Sequence, residues 1–151
     1  MSVTRALYID GEWVETDDSI ENINPSDTTE SLGRYAQATP ALADHAIASA
    51  NRAAKEWGQS PMETRYQMLM AIGTELIDRS AELGELLARE EGKTRAEGVG
   101  EVVRSGQFFH YFAAEVHRQI DDRVDSVRPG IEIETRREPV GVVVVISPWN
   151  F

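Results

Sequence analysis

The residues whose types and order could do chemistry are the last five, Ser147-Pro148-Trp149-Asn150-Phe151. They follow a continuous apolar run over residues 140–146. A strand-length run without polar alternation is the pattern of a parallel strand covered on both faces, and ligands of such sheets collect at the carboxyl ends of the strands. Pro148 fixes its own φ and holds Ser147 extended, so the chain leaves the strand stiffly and offers its carbonyls outward. Asn150 adds a neutral NH₂ donor that can face a developing negative oxygen without titrating, as an oxyanion site requires. The same residues also read as a turn with a buried Trp149 and a capping Asn150, and residue chemistry leaves both readings open.

Other apparent motifs fail on context. Gly92-Lys93-Thr94 resembles the end of a phosphate loop, but Leu87 stands where its first glycine belongs and a helical pattern precedes it. Gly98-Val99-Gly100 begins like a dinucleotide fingerprint, yet Val103 replaces the third glycine and no strand leads in. His110 and His117 lie two helical turns apart with Glu115 between them, whereas ligands of one metal are spaced by three or four, so no metal site is expected. Glu90-Glu91 and Asp121-Asp122 read as solvated charge near helix ends, and Tyr111 and Phe112 as core aromatics.

The elements that must position the terminal stretch follow from pattern. Asp10-Gly11 between the β-prone runs 6–9 and 12–15 predicts a hairpin. Asn24-Pro25 and the Ser/Asp/Thr residues around it read as a surface loop, with a short strand near residues 32–36. Thr39 then caps a helix with Pro40 at its first position and Leu42, Ala46, Ala50, Ala53 and Trp57 on one stripe, ended by Gly58. Ser60-Pro61-Met62-Glu63 reads as a capping box for a second helix carrying Met62, Tyr66, Leu69, Gly73 and Leu76, with a restart at Ser80 and a stop at Gly92. Thr94-Arg95-Ala96-Glu97 is a second box, opening a helix striped by Val99, Val102, Gly106, Phe109, Ala113, Val116 and Ile120. These helices should pack together. Pro129-Gly130 is turn chemistry, and residues 131–135 alternate with period two as a strand.

Composition bounds the partners. The chain has 151 residues, 41% of them hydrophobic, enough for a core, and a formal net charge of −11. That charge argues against nucleic acid or an anionic membrane surface, which require neutralisation by Lys and Arg. Only two of the fifteen basic residues, Lys55 and Lys93, are lysine, and a surface this acidic and Lys-poor suits high salt, which screens self-repulsion. The absence of cysteine excludes disulfides, zinc-thiolate sites and a Cys nucleophile within these residues. The N-terminus lacks a basic start followed by a long apolar segment and no window has the length of a membrane span, so a cytoplasmic location is expected.

Glu138-Pro139-Val140-Gly141-Val142-Val143 running into Ile146-Ser147-Pro148-Trp149-Asn150-Phe151 closely resembles the strand and turn of the aldehyde dehydrogenase superfamily. The opening Tyr8-Ile9-Asp10-Gly11-Glu12-Trp13, the Asn24-Pro25 turn, Trp57 and Glu91-Gly92-Lys93-Thr94 support the likeness. The resemblance implies an α/β fold: a hairpin, helices and the start of a doubly wound parallel sheet, incomplete in this chain. It implies residues 1–124 and 141–151 in the cofactor-binding domain, with 125–140 as an arm joining a subunit interface in a homo-oligomer. In that family a Cys thiolate attacks the aldehyde, the adduct loses hydride to NAD or NADP, and a Glu activates the water that releases the acid. By the same match Asn150 donates to the oxyanion, Ile146, Ser147, Pro148 and Trp149 lie along the cofactor, and Phe151 faces the aldehyde. Family members are much longer, and the Cys, the Glu and the glycine-rich cofactor strand would follow Phe151. An N-terminal fragment, inactive alone, is therefore expected. Residues 108–115 and 127–132 look most like members acting on semialdehydes such as 2-oxoglutarate or succinate semialdehyde. A stand-alone acidic helical interaction module is the rival reading, and it gives no reason to expose the 140–146 run.

Overall fold

The computed structural model describes residues 4–118 and 121–148. Five short strands come first: β1 (Thr4–Arg5), β2 (Leu7–Ile9), β3 (Glu12–Val14), β4 (Ser19–Ile23) and β5 (Ser31–Ala36). Four helices follow, α1 (Pro40–Gly58), α2 (Met62–Asp78), α3 (Ser80–Glu91) and α4 (Arg95–Val116), and then strands β6 (Asp122–Asp125) and β7 (Glu132–Thr135). This is an α/β arrangement. None of the described helices is long and apolar enough to cross a membrane.

The expected hairpin is β2 and β3, paired antiparallel with Leu7 opposite Val14 and Ile9 opposite Glu12. Asp10 and Gly11 turn it with φ of 56° and 83°. Two consecutive positive φ values are what a two-residue loop needs to match the twist of its strands, and this is why Asp-Gly serves here. Tyr8 and Trp13 face each other across the pair, ring centroids 4.9 Å apart. The expected strand near 32–36 is β5, the centre of a sheet ordered β1-β5-β4, with β1 parallel to β5 and β4 antiparallel to it. Two of these strands have little local signal. β1 is two residues long, and β4, Ser-Ile-Glu-Asn-Ile, is mostly polar and takes its conformation from β5.

Helix starts and stops follow local chemistry with two exceptions. The Thr39 side chain accepts from the Leu42 N–H and Pro40 opens α1; Gly92 ends α3 with a φ of 74°; Thr94 and Glu97 form a reciprocal capping box at α4. Ser60, however, does not cap α2. Pro61 occupies the cap position, no side chain caps the helix, and the Ser60 hydroxyl donates backward to the Trp57 carbonyl at 2.6 Å. The α1 terminus competes for that hydroxyl and wins. Likewise Ser80 is the first residue of α3, not its cap; the break falls at Arg79, whose guanidinium reaches Glu75 on one side and Glu82 on the other.

Packing also departs from expectation. The layer at the centre is α2, α3 and α4, with α4 against both of the others. α1 has no buried residue and touches β2 lightly, so its apolar stripe, Trp57 included, stays partly exposed. The core is made of small residues: Gly73, Gly84, Ala88, Gly98, Val102, Gly106 and Ala113 are all buried. Two glycine pairs set the distances. A Cβ on Gly73 would lie 2.8 Å from the Gly106 carbonyl oxygen, and one on Gly106 2.7 Å from that of Gly73. A Cβ on Gly84 would lie 2.5 Å from the Val99 backbone, and one on Gly98 would strike the Gly84 carbonyl. The helix backbones thus touch where these glycines face each other.

β6 and β7 form a hairpin from Asp122–Thr135 to Asp125–Glu132, turned through Pro129-Gly130. β7 lies within the strand expected at 131–135. β6, Asp-Arg-Val-Asp, corrects the assignment of Asp122 to a helix end: it is a polar strand specified by its partner.

Candidate functional site

Two turns that carry the family likeness, far apart in sequence, lie against each other. Asn24, buried, holds the first: its Oδ1 accepts from the Ser26 N–H at 2.9 Å and its Nδ2 donates to Glu30 at 2.7 Å. Glu30 is also bridged by Arg89 of α3, and Asn22 donates to Glu90 at 2.8 Å. The hydrogen bond from Arg89, then that from Asn24, holds the Glu30 carboxyl below its ordinary range. A Cβ on Gly92 would sit 2.9 Å from Pro25 Cγ, so the Asn24-Pro25 turn rests on the α3–α4 turn. Glu90 and Glu91 are therefore not simply solvated. Glu90 anchors β4, and Glu91 pairs with Lys93 at 2.5 Å. Lys93 also meets Glu101, whose hydrogen bond is the largest cause of its raised pKa. No sequence pattern marked Asn24, Glu30 and Arg89 as a unit; the available signal was that both turns carry the same resemblance.

The histidines take structural positions. His110 Nε2 lies 3.2 Å from the Thr74 hydroxyl, and the His117 ring lies 4.8 Å from that of Tyr66, tilted by 52°. Among the described residues no cluster of His, Asp and Glu could hold a metal. Tyr111 and Phe112 are exposed, not core; together with Phe108 they leave an apolar face on α4. Gly98, rejected as a dinucleotide-fingerprint glycine, has its packing role against α3.

The terminal stretch is reached through residues 137–139. The Arg137 N–H donates to Asp121 at 3.3 Å, and the Pro139 ring lies on Gly58 at the end of α1. Beyond it Gly141 bends the chain with a φ of 102°. Residues 140–146 do not form the expected strand: Val140, Val143, Val144, Val145 and Ile146 are exposed, and no described strand pairs with the run. A parallel strand exists only through bonds to its neighbours, and none of the described strands lies beside this run. Ile146, Ser147 and Pro148 are accessible, as cofactor contacts would require. Their uncharged polar groups, one hydroxyl and the accepting backbone carbonyls, suit the ribose and amide parts of a nicotinamide cofactor and supply nothing for its phosphates. Trp149, Asn150 and Phe151, and likewise Ile120 of the α4 stripe, lie outside the described residues.

Comparison with known proteins bears on this arrangement directly. The sequence model of the aldehyde dehydrogenase family matches residues 13–151. An alpha-ketoglutarate semialdehyde dehydrogenase of Haloferax volcanii is 38% identical over 95% of this chain and 30% of its own length. A 1-pyrroline-5-carboxylate dehydrogenase of Anoxybacillus flavithermus is 38% identical over 96% of this chain and 28% of its own. Among solved structures, a betaine aldehyde dehydrogenase of Staphylococcus aureus in complex with NAD+ superposes with a TM-score of 0.90 at 33% identity, over 97% of this chain and 30% of that one. The chain thus spans less than a third of the length of these relatives and corresponds to their N-terminal part.

Proposed function

The chain belongs to the aldehyde dehydrogenase family, and we propose that it supplies the N-terminal part of an NAD- or NADP-dependent enzyme oxidising an aldehyde to a carboxylic acid. The observation that carries this is the family match over residues 13–151, whose span takes in the Glu138-Pro139-Val140-Gly141 and Ser147-Pro148-Trp149-Asn150-Phe151 segments. A semialdehyde is the proposed substrate class, supported by the Haloferax volcanii relative.

In this reading Asn150 donates its amide hydrogens to the aldehyde oxygen as negative charge develops there, and its neutrality keeps that donation independent of pH. Ile146, Ser147, Pro148 and Trp149 line the nicotinamide half of the cofactor, held extended by Pro148, and Phe151 borders the aldehyde. The cofactor, when bound, accepts the electrons removed from the aldehyde. The nucleophile must come from outside these residues, because they contain no cysteine. Residues 125–140 form an arm of a homo-oligomer, between the 1–124 and 141–151 parts of the cofactor domain, in a cytoplasmic enzyme.

The test is Asn150→Ala in a polypeptide of the family's full length, assayed with succinate and 2-oxoglutarate semialdehydes and each nicotinamide cofactor. One oxyanion donor is worth about 10²–10³ in kcat, with cofactor affinity little changed. An unchanged kcat removes Asn150 from the chemistry. Failure of the unsubstituted enzyme on every aldehyde refutes the activity.

A further inference from the structure

The geometry points to a binding site for a small monoanionic carboxylate in a cavity between the α1–α2 corner and the segment that follows β7, independent of the dehydrogenase reading. The cavity, about 260 Å³, is lined by Trp57, Gly58, Arg65, Arg137, Glu138 and Pro139. Sites for drug-sized ligands run from roughly 300 to 1,000 Å³, so this one limits its ligand to a small molecule.

Two guanidiniums line the cavity, and neither makes an ion pair among the described residues. Several other arginines of this acidic chain take carboxylates, as Arg52 does with Asp10, Arg79 with Glu82, Arg89 with Glu30 and Arg95 with Glu85, whereas Arg34 bonds Ser19 and Arg104 lies over Phe108; what sets Arg65 and Arg137 apart is that they line one cavity together. Arg65 makes no ion pair among the described residues; its Nη1 donates to the Ser60 carbonyl at 2.6 Å and, more weakly, to the Ser60 hydroxyl. Arg137 is fixed through its backbone N–H on Asp121, and its side chain has no partner among the described residues. The Arg65 guanidinium is therefore positioned by Ser60 and that of Arg137 is carried on a tethered backbone, and both keep donors for a ligand. Glu138 also lines the space, so two positive charges and one negative leave a surplus that a single anionic charge neutralises.

The ligand's chemistry follows from this lining. The planar guanidinium fork matches a carboxylate in a bidentate arrangement. Trp57, 45% exposed, offers a ring to a flat apolar body, and Pro139 closes the side next to Gly58. Benzoate combines the two features and is the probe of choice.

The experiment titrates the 151-residue chain with benzoate, its neutral isostere benzamide and inorganic phosphate, read by calorimetry and tryptophan fluorescence. Saturable benzoate binding without benzamide binding is expected, with a fluorescence change lost in Trp57→Phe. Phosphate binding at the same site, shown by competition, also supports an oxyanion site. Arg137→Gln should weaken benzoate roughly three- to tenfold, whereas Arg95→Gln, at the opposite end of α4 from the Tyr66–His117 contact, should not. The Arg137 side chain makes no hydrogen bond or ion pair among the described residues, so its variant remains interpretable if Arg65→Gln destabilises the α2 start. Absence of saturable benzoate binding, equal binding of benzamide, or an Arg137→Gln variant that binds like the parent overturns the proposal.

Discussion

Replacing Gly106 by alanine should destabilise the protein, although alanine is the better helix former. The substitution inserts a Cβ 2.7 Å from the Gly73 carbonyl oxygen and 2.6 Å from Ile77 Cγ1. Ile77 can turn aside, but the carbonyl belongs to the α2 backbone, so the two helices must separate. Overpacking of this kind costs typically 1–3 kcal/mol, and a backbone obstacle argues for the upper half of that range. Alanine recovers about 1 kcal/mol of helix propensity, leaving a net loss of about 1–2 kcal/mol. For a domain of this size that lowers Tm by about 2–8 °C. Gly100, six residues earlier on the same helix, is the internal control: nothing lies within 4 Å of a Cβ built there. Gly100→Ala should gain the propensity term alone and raise Tm by about 2–4 °C. Thermal unfolding followed by circular dichroism reads both variants. If Gly106→Ala matched or exceeded the parent, the close glycine-to-glycine crossing would not exist in solution.

Other expectations follow from the caps, charges and tail. Thr94→Ala removes the capping box of α4 and should cost about 1 kcal/mol; chemical denaturation checks it, and an unchanged midpoint would deny the box any energetic role. The Glu30 carboxyl is held below its ordinary value of 4.5, so its contribution is complete above that pH and lost as pH falls through the lowered value. Amide exchange at Asn24 and Ser26 should accelerate there, and Glu30→Gln should abolish the dependence; identical profiles would refute the link. With a net charge of −11, Tm should rise between low and molar salt as repulsion is screened, and a fall would show that ion pairs dominate. Deleting residues 140–151 should reduce self-association measured by ultracentrifugation, since an exposed uncharged β-branched run is an aggregation template. Equal size distributions for the two chains would clear the run of that role.

What the sequence made legible was what neighbouring residues decide among themselves. The Asp10-Gly11 turn, Thr39 before Pro40, the Thr94/Glu97 box and Gly92 after α3 each rest on contacts within a few residues, and each formed as read. Ser60 satisfied the same local rule and failed, because the end of α1 claimed its hydroxyl first. β4 and β6 were illegible because their residues are mostly polar and their conformation is set by pairing. Periodicity marked the stripe of α1 but not what would cover it. The spacing of Gly73 and Gly106 on their stripes was visible; that they face each other was not. At the candidate site, the apolar run and its polar tip were plain in the sequence, whereas the pairing of a lone strand depends on partners that no property of the strand supplies.

The junction of Asn22 with Glu90 and of Glu30 with Arg89 joins residues 68 and 59 positions apart. Contacts of that separation form late, since the loop must close before they contribute anything. Helices elongate in nanoseconds per residue, so α3 and α4 should meet first, and the β1-β5-β4 sheet should then dock on a surface already present. Refolding would show this order as helical signal preceding protection of the β4 and β5 amides. The Asn24 turn would thus act as a timer, registering as the last native hydrogen bonds to appear and the first to open.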